Sequence, residues 1–390
     1  MLTAPDAAKR LGVSLATLYA YVSRGLIRSF PDPENPRSRL YAEEDVDRRM
    51  PGKAAERALH GGGPVLDSAI TLIDGDHLYY RGHDVADLAR TASVEEVASL
   101  IWSGAMTRDA FALTTLHVIA GRGSDGLPFV NRGASILPIV AARDPLAYDL
   151  RPHAVAQTGW RILNLLTSVA AETAELADTV DETLQKKWSP RRFGARDLIR
   201  AALILCADHE LNVSSFVARC IASAGSNPYA VVAGGLAAIE GNKHGGMTAR
   251  VAMMLDELVR SRDLRGAMAE RMRRGEAIFG FGHPLYPNGD PRSEMLLGML
   301  AGHLPKFISD VAAAGEELLG EKPTIDFALV ALARALRLPG DAPLTLFALG
   351  RTIGWVGHAM EQYARDEIIR PRARYVGPRS AGSPAGARSD

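Results

Sequence analysis

The chain has 390 residues, 47% of them apolar, and its 45 basic residues are matched by 45 acidic ones. That length allows two or three domains around a large core, and the apolar content excludes a disordered chain. Zero net charge argues against wholesale binding to nucleic acid or an anionic membrane, although a local basic patch stays open.

Residues 1–50 read as a small unit. Thr3-Ala4-Pro5-Asp6 caps a first helix with Ala7, Ala8 and Leu11 on its apolar face. Gly12-Val13 makes the turn, Ser14 caps the helix SLATLYAYVSR, and Gly25 ends it. LIRSFPDPENPRSRLY forms a hairpin wing and AEEDVDRRM a short third helix. Through AAKRLGVSLATLYAYVSRGLI and RLYAEEDV the unit resembles a MerR/excisionase-type winged helix-turn-helix. The resemblance implies that Thr17, Tyr19, Tyr21, Ser23 and Arg24 meet DNA, while Arg28, Arg37 and Arg39 on the wing hold phosphates. Eight basic residues face seven acidic ones here, so a module for packing or self-association stays open.

PGKAAERALHGGGP makes residues 51–65 a linker. SAITLIDGDHLYYRG then alternates around Asp74-Gly75 as a hairpin. Thereafter the pattern is helical almost throughout, beginning with a Ser93/Glu96 capping box before Val94, Val97, Leu100 and Ile101. Stretches such as YAVVAGGLAAIE are apolar on nearly every side and belong inside a bundle. An all-α fold is expected, without βαβ alternation. The tail from 379 to 390 is rich in Gly, Ser, Pro and Ala and is expected to be disordered. Cys206 and Cys220 lie in apolar helical sequence and read as buried thiols of a reducing compartment. The N-terminus lacks a hydrophobic signal core, and no apolar run reaches membrane length. The protein is therefore expected in the cytoplasm, without a membrane partner. No zinc spacing occurs, and His358 with Glu361 lacks a third ligand, so no metal is expected.

Four polar stretches interrupt the buried helices: ADHELN (207–212), EGNKHGGM (240–247), GFGHPLYPNGDPR (280–292) and KPTIDF (322–327). Glycines beside His244 and His283 let backbone approach a ligand. Asp326 sits between Ile325 and Phe327, a setting that raises proton affinity and suits a base, although it also fits a helix cap. Arg292 and Arg351 can bind carboxylates in two-point fashion. A base, two histidine donors and several arginines suit proton removal next to a carbonyl, with an anionic second substrate.

With AITLIDGDHLYYRG, DHELN, HGG, GFGHPLYPNGDPR, IDF, GRTIGWVGHAMEQ and IIRPRARY in order, residues 66–378 resemble the citrate synthase family. The resemblance implies a helical homodimer of two-domain subunits, the large domain at 66–245 and 337–378 and the small one at 246–336. It implies condensation of acetyl-CoA with oxaloacetate and hydrolysis of the thioester, with no cofactor beyond the coenzyme A of the substrate. Propionyl-CoA, giving 2-methylcitrate, remains open. Asp326 matches the base, His244 the donor to the thioester oxygen, and His283 the donor to the oxaloacetate ketone. His209, Arg292 and Arg351 match carboxylate binders, and Arg370 matches an arginine supplied to the partner subunit's site. Two departures stand out. Met247 follows the glycines where the family has alanine, and Pro287 stands where a basic residue often holds CoA phosphates. Lys243 and Arg250 are nearby bases that also read as solvated or structural. The alternative function is a DNA-binding transcriptional regulator whose body senses a CoA ester or dicarboxylate without turnover. The retained base and histidines favour the enzyme.

Overall fold

The computed structural model describes residues 1–11, 15–23, 27–33, 35, 38–47, 65–107, 126–192, 194–374 and 376–377. The caps at Ser14 and Gly25, the linker up to residue 64 and the tail from 379 to 390 lie outside the described residues.

Helices Ala4–Leu11 and Leu15–Ser23 open the chain. Thr3 Oγ1 accepts the Asp6 N–H at 3.3 Å and donates to the Asp6 carboxylate, as the cap pattern predicts. The wing is an antiparallel pair, Ser29–Pro31 with Arg39–Tyr41, followed by the short helix Glu43–Asp47. Ala7, Ala8, Leu11, Leu18, Ile27, Tyr41 and Val46 close a small core of their own.

In the body, strands Thr71–Asp74 and His77–Tyr80 pair with Asp74 opposite His77, and Gly75 takes the turn at φ +59°. Helix Val94–Ser103 starts with the predicted reciprocal Ser93/Glu96 box. The remaining described helices build two cores. The larger gathers residues from Ile70 to Ala359. The smaller draws only on residues between Val251 and Ala331. Helix Pro291–Leu300, inside the expected small domain, packs Met295, Leu296 and Leu300 into the larger core.

Helix Ile325–Leu336 belongs to both cores. Ile325, Ala328, Leu329 and Leu332 enter the larger one; Phe327, Val330 and Ala331 enter the smaller. Its first turn therefore lies at the seam. Helix Ala342–Arg365 is buried along nearly its whole length. Gly354 makes this crossing feasible: a Cβ there would lie 2.4 Å from Asp208 Oδ1 and 2.5 Å from the Ala207 carbonyl. The segment 206–209 is thus threaded against the helix face that carries Arg351 and His358.

Cys206 is buried, and burial pushes its thiol up to about 12. Cys220 is only half-buried, because the outer face of helix Val213–Ser223 is incompletely covered. Among the described residues no helix is long and apolar enough to cross a membrane.

Candidate active site

A cleft of about 400 Å³ opens at the seam, lined by His209, His244, His283, Arg292, Asp326 and Arg351. Of these six residues, spread over 143 positions of sequence, five come from loops or first turns at helix ends, and Arg351 comes from the middle of helix Ala342–Arg365.

The His283 loop is tied to the base of the Asp326 helix. Gly282 N–H donates to the Lys322 carbonyl at 3.0 Å, and Thr324 N–H donates to the Gly280 carbonyl at 2.8 Å. Gly280 and Gly282 sit at φ +86° and +72°, conformations that L side chains rarely adopt. The Leu285 N–H donates to His283 Nδ1 at 3.2 Å. That bond leaves the neutral ring's proton on Nε2. Burial, with Arg292 nearby, lowers the His283 proton affinity and keeps the ring neutral.

His209 follows the threaded segment. Its Nε2 meets the buried Tyr286 hydroxyl at 2.8 Å, and its ring stands edge-on to His283, centroids 5.4 Å apart. Burial, then Arg292 and Arg351, hold its proton affinity well below the usual histidine value. Glu210, next in sequence, takes the left-handed conformation at φ +51°. This reversal turns the chain into the Asn212 cap of helix Val213–Ser223.

His244 Nε2 lies 2.8 Å from Ser214 Oγ, itself 2.8 Å from Asn212 Oδ1. With the Ser214 hydroxyl proton on Asn212 Oδ1, Ser214 Oγ accepts from His244 Nε2–H; a Ser214 hydroxyl turned onto Nε2 would instead leave the ring proton on Nδ1 and make that atom the donor. Burial, helped by Arg351 and Arg292, lowers the ring to about 4.

Asp290 caps helix Pro291–Leu300 and organises the anion side. Its Oδ1 accepts Arg292 Nε at 2.9 Å, and its Oδ2 accepts Arg292 Nη2 at 2.8 Å and the Ile325 N–H at 3.0 Å. Burial disfavours the Arg292 charge, but the Asp290 pair outweighs it and the net shift is upward. Arg351 is completely buried and spends only Nε, on the Cys206 carbonyl at 2.8 Å. Its Nη1 and Nη2 have no hydrogen-bond partner. Two buried guanidinium prongs of this kind fit a carboxylate.

Asp326 is the second residue of its helix; Thr324, not Asp326, holds the cap position. Its Oδ1 is buried without a hydrogen-bond partner. Burial raises the carboxyl to about 7; Arg292 opposes this and Asp290 adds to it.

Other predicted residues lie elsewhere. Arg370 is exposed in the irregular stretch beyond helix Ala342–Arg365, outside this chain's cleft. Lys243 and Met247 line the cleft, whereas Arg250 stacks on the Phe279 ring at 3.9 Å. His358 is used by Asp208, at 3.1 Å, and Glu361 by Arg219, at 2.7 Å. In the N-terminal unit Tyr19 is 51% exposed, and Tyr21 packs against the small core. Arg28 forks onto Asp45 through Nε at 2.7 Å and Nη2 at 3.1 Å, and Arg39 donates twice to Ser29. Two of the three guanidiniums expected on phosphates, Arg28 and Arg39, thus also have partners within the N-terminal unit. The side chains of Thr17 and Ser23, together with Arg24 and Arg37, lie outside the described residues.

Sequence reasoning missed Asp290, Tyr286 and Ser214. Asp-Pro opening a helix was a readable cap signal for Asp290. Ser214 looked like one more small helical residue. Tyr286, between two prolines, carried no pattern that named its partner.

Comparison with known proteins accords with this geometry. The family described as Citrate synthase, C-terminal domain, matches residues 60–118 and 154–372. A Helix-turn-helix domain matches residues 1–50. The citrate synthase of Haloferax volcanii is 30% identical over 372 residues, covering 80% of this chain and 93% of that protein. The 2-methylcitrate synthase of Shewanella oneidensis is 28% identical over 347 residues, covering 78% and 90%. The crystal structure of citrate synthase from Thermotoga maritima aligns with a TM-score of 0.65 at 26% identity, covering 83% of this chain and 96% of that one. Matched over most of its length, the chain belongs to the citrate synthase family and carries a helix-turn-helix domain at its N-terminus.

Proposed function

We propose that the protein condenses an acyl-CoA, acetyl- or propionyl-CoA, with oxaloacetate and hydrolyses the thioester, releasing citrate or 2-methylcitrate and CoA. The observation that carries this reading is the buried, unpartnered Asp326 oxygen on the same cleft as His244, His283 and the open prongs of Arg351.

In this mechanism Asp326 takes a proton from the carbon next to the thioester carbonyl. His244, oriented by Ser214, hydrogen-bonds the thioester oxygen as the enol forms. The enol carbon bonds to the ketone carbon of oxaloacetate while His283 Nε2–H hydrogen-bonds the ketone oxygen, and the proton taken by Asp326 ends on the new hydroxyl, so that the ring stays neutral and the carboxylate is restored. Water then splits the new thioester. A donor placed where negative charge develops is typically worth roughly 3–4 kcal/mol of barrier. His209, Arg292 and Arg351 hold the carboxylates of oxaloacetate. The bond changes balance without an oxidant or reductant, and coenzyme A enters as substrate.

Arg370 is assigned to the partner subunit's cleft in a homodimer, a reading supported by its exposed place beyond the last helix. The segment 246–336 is assigned as the small domain around the smaller core, with Pro291–Leu300 packed across the boundary. A cytoplasmic location is in keeping with the two free thiols. For the N-terminal unit, DNA binding is supported by the helix-turn-helix match.

The test is to mix purified protein with oxaloacetate and each acyl-CoA, and to follow free thiol. Turnover dependent on both substrates is expected. A folded dimer that releases no thiol with either acyl donor favours instead a regulator sensing a CoA ester or dicarboxylate.

A further inference from the structure

Arg219, on helix Val213–Ser223, is a fully buried guanidinium that takes no part in the reaction. All three of its nitrogens are committed. Nη1 pairs with Glu361 Oε2 at 2.7 Å, Nε donates to Gln362 Oε1 at 3.0 Å, and Nη2 reaches the Asp67 carbonyl at 3.4 Å. The other Glu361 oxygen accepts the Ala69 N–H at 2.7 Å, and Arg365 donates to the Asp67 carbonyl at 2.9 Å. A cluster at the end of helix Ala342–Arg365 therefore grips the point where the chain enters the body.

The same cluster grips the point where the chain leaves. Asp366 ends the helix in the left-handed conformation at φ +51°. Gln362, buried and held at its oxygen by Arg219, turns its Nε2 to the Glu367 carbonyl at 2.7 Å. Arg370 lies three residues further on. An extended chain advances about 3.3 Å per residue, so a turn of roughly 30° at Glu367 moves Arg370 by about 5 Å. A buried ion pair is weak grounds for stability, because desolvation offsets much of the attraction. Its effect here is on direction.

We infer that Arg219 and Gln362 are positioning residues: they set the exit angle of the C-terminal tail and so deliver Arg370 to the partner subunit's cleft. The inference rests on the assignment of Arg370 made above.

Gln362→Glu tests it in the full-length dimer. Glutamate keeps an acceptor for Arg219 but loses the donor to Glu367. Dimer mass and thermal melting are measured first; Gln362→Met replaces it if the glutamate variant does not melt cooperatively. The KM for oxaloacetate is expected to rise ~10-fold, with kcat and the KM for acyl-CoA within ~2-fold of the parent. In an Arg370→Ala background the same substitution is expected to change that KM by less than ~2-fold, because the two act as one unit. Additive effects, or an unchanged KM in the parent background, overturn the inference. If Arg370→Ala alone leaves the KM for oxaloacetate unchanged while turnover persists, the Arg370 assignment fails and takes this inference with it. Absence of thiol release by the unmodified protein identifies failure of the enzyme reading itself.

Discussion

The Asp290 carboxylate joins Arg292 to Ile325, holding the guanidinium fork and the backbone N–H that starts the Asp326 helix. Asparagine at 290 keeps the size and loses the charge, leaving Arg292 buried without a counter-ion, which is strongly destabilising. Asp290→Asn is expected to raise the KM for oxaloacetate and lower kcat together, each by ~10-fold or more. Its thermal midpoint should fall as well. Parent-like kinetics in a folded variant contradict the bridge.

Asp326 holds its proton more tightly in the folded protein than in the unfolded chain, with a folded value of about 7. Its contribution to stability is therefore fully present below the usual aspartate value near 4 and is lost as pH rises through about 7. A base must be ionised, so kcat/KM should climb through the same window and level off above it. Asp326→Asn is expected to lose ~10²–10⁴-fold in turnover while melting higher than the parent at pH ~8. Both are read by the thiol assay and by calorimetry across pH. An acidic limb far from neutrality removes Asp326 as the titrating base.

In the proposed mechanism His283 serves as a neutral donor, a role that fits its burial, which lowers its proton affinity, and the Leu285 N–H on Nδ1, which leaves the proton on Nε2. His283→Gln should cost ~10²–10³-fold in kcat and leave the KM for acyl-CoA near the parent value. The acidic limb of the pH profile should stay in place, because it belongs to Asp326. A shifted limb reassigns it to the histidine.

Arg351 offers two prongs, and lysine offers a single rotating head. Arg351→Lys also loses the bond from Nε to the Cys206 carbonyl. The KM for oxaloacetate is expected to rise by ~30-fold or more, with a smaller change for acyl-CoA. Equal changes in both mean that the arginine supports the cleft as a whole.

The N-terminal unit gives a prediction of opposite sense. Arg28, just before the wing, forks onto Asp45 of the short helix Glu43–Asp47. Arg28→Ala should leave the salt slope of any DNA binding unchanged and lower the unit's resistance to proteolysis. A slope reduced by ~1 returns Arg28 to the phosphate role.

Much of the fold was legible because local chemistry dictated it. The Thr3 cap, the Ser93/Glu96 box and the Asp74-Gly75 turn each use one or two neighbouring residues, and all form as the sequence implies. Six of the candidate site residues meet in one cleft, because glycine beside histidine and arginine in apolar sequence are signals a ligand site leaves behind. What stayed hidden depended on distance along the chain. Nothing local to Arg28 announces Asp45. Nothing around Pro291–Leu300 says which core it will join. Asp326 could be read as a cap until the chain showed Thr324 there instead.

Because opposite faces of Ile325–Leu336 are embedded in different cores, this helix is placed like an axle between them. Points near an axle travel least when the bodies on either side swing. The carboxylate of Asp326 and the imidazole of His283, coupled through the backbone bonds of Gly280, Gly282 and Thr324, should then move as one piece. Opening the cleft to admit or release ligand would then leave the spacing of base and donor intact.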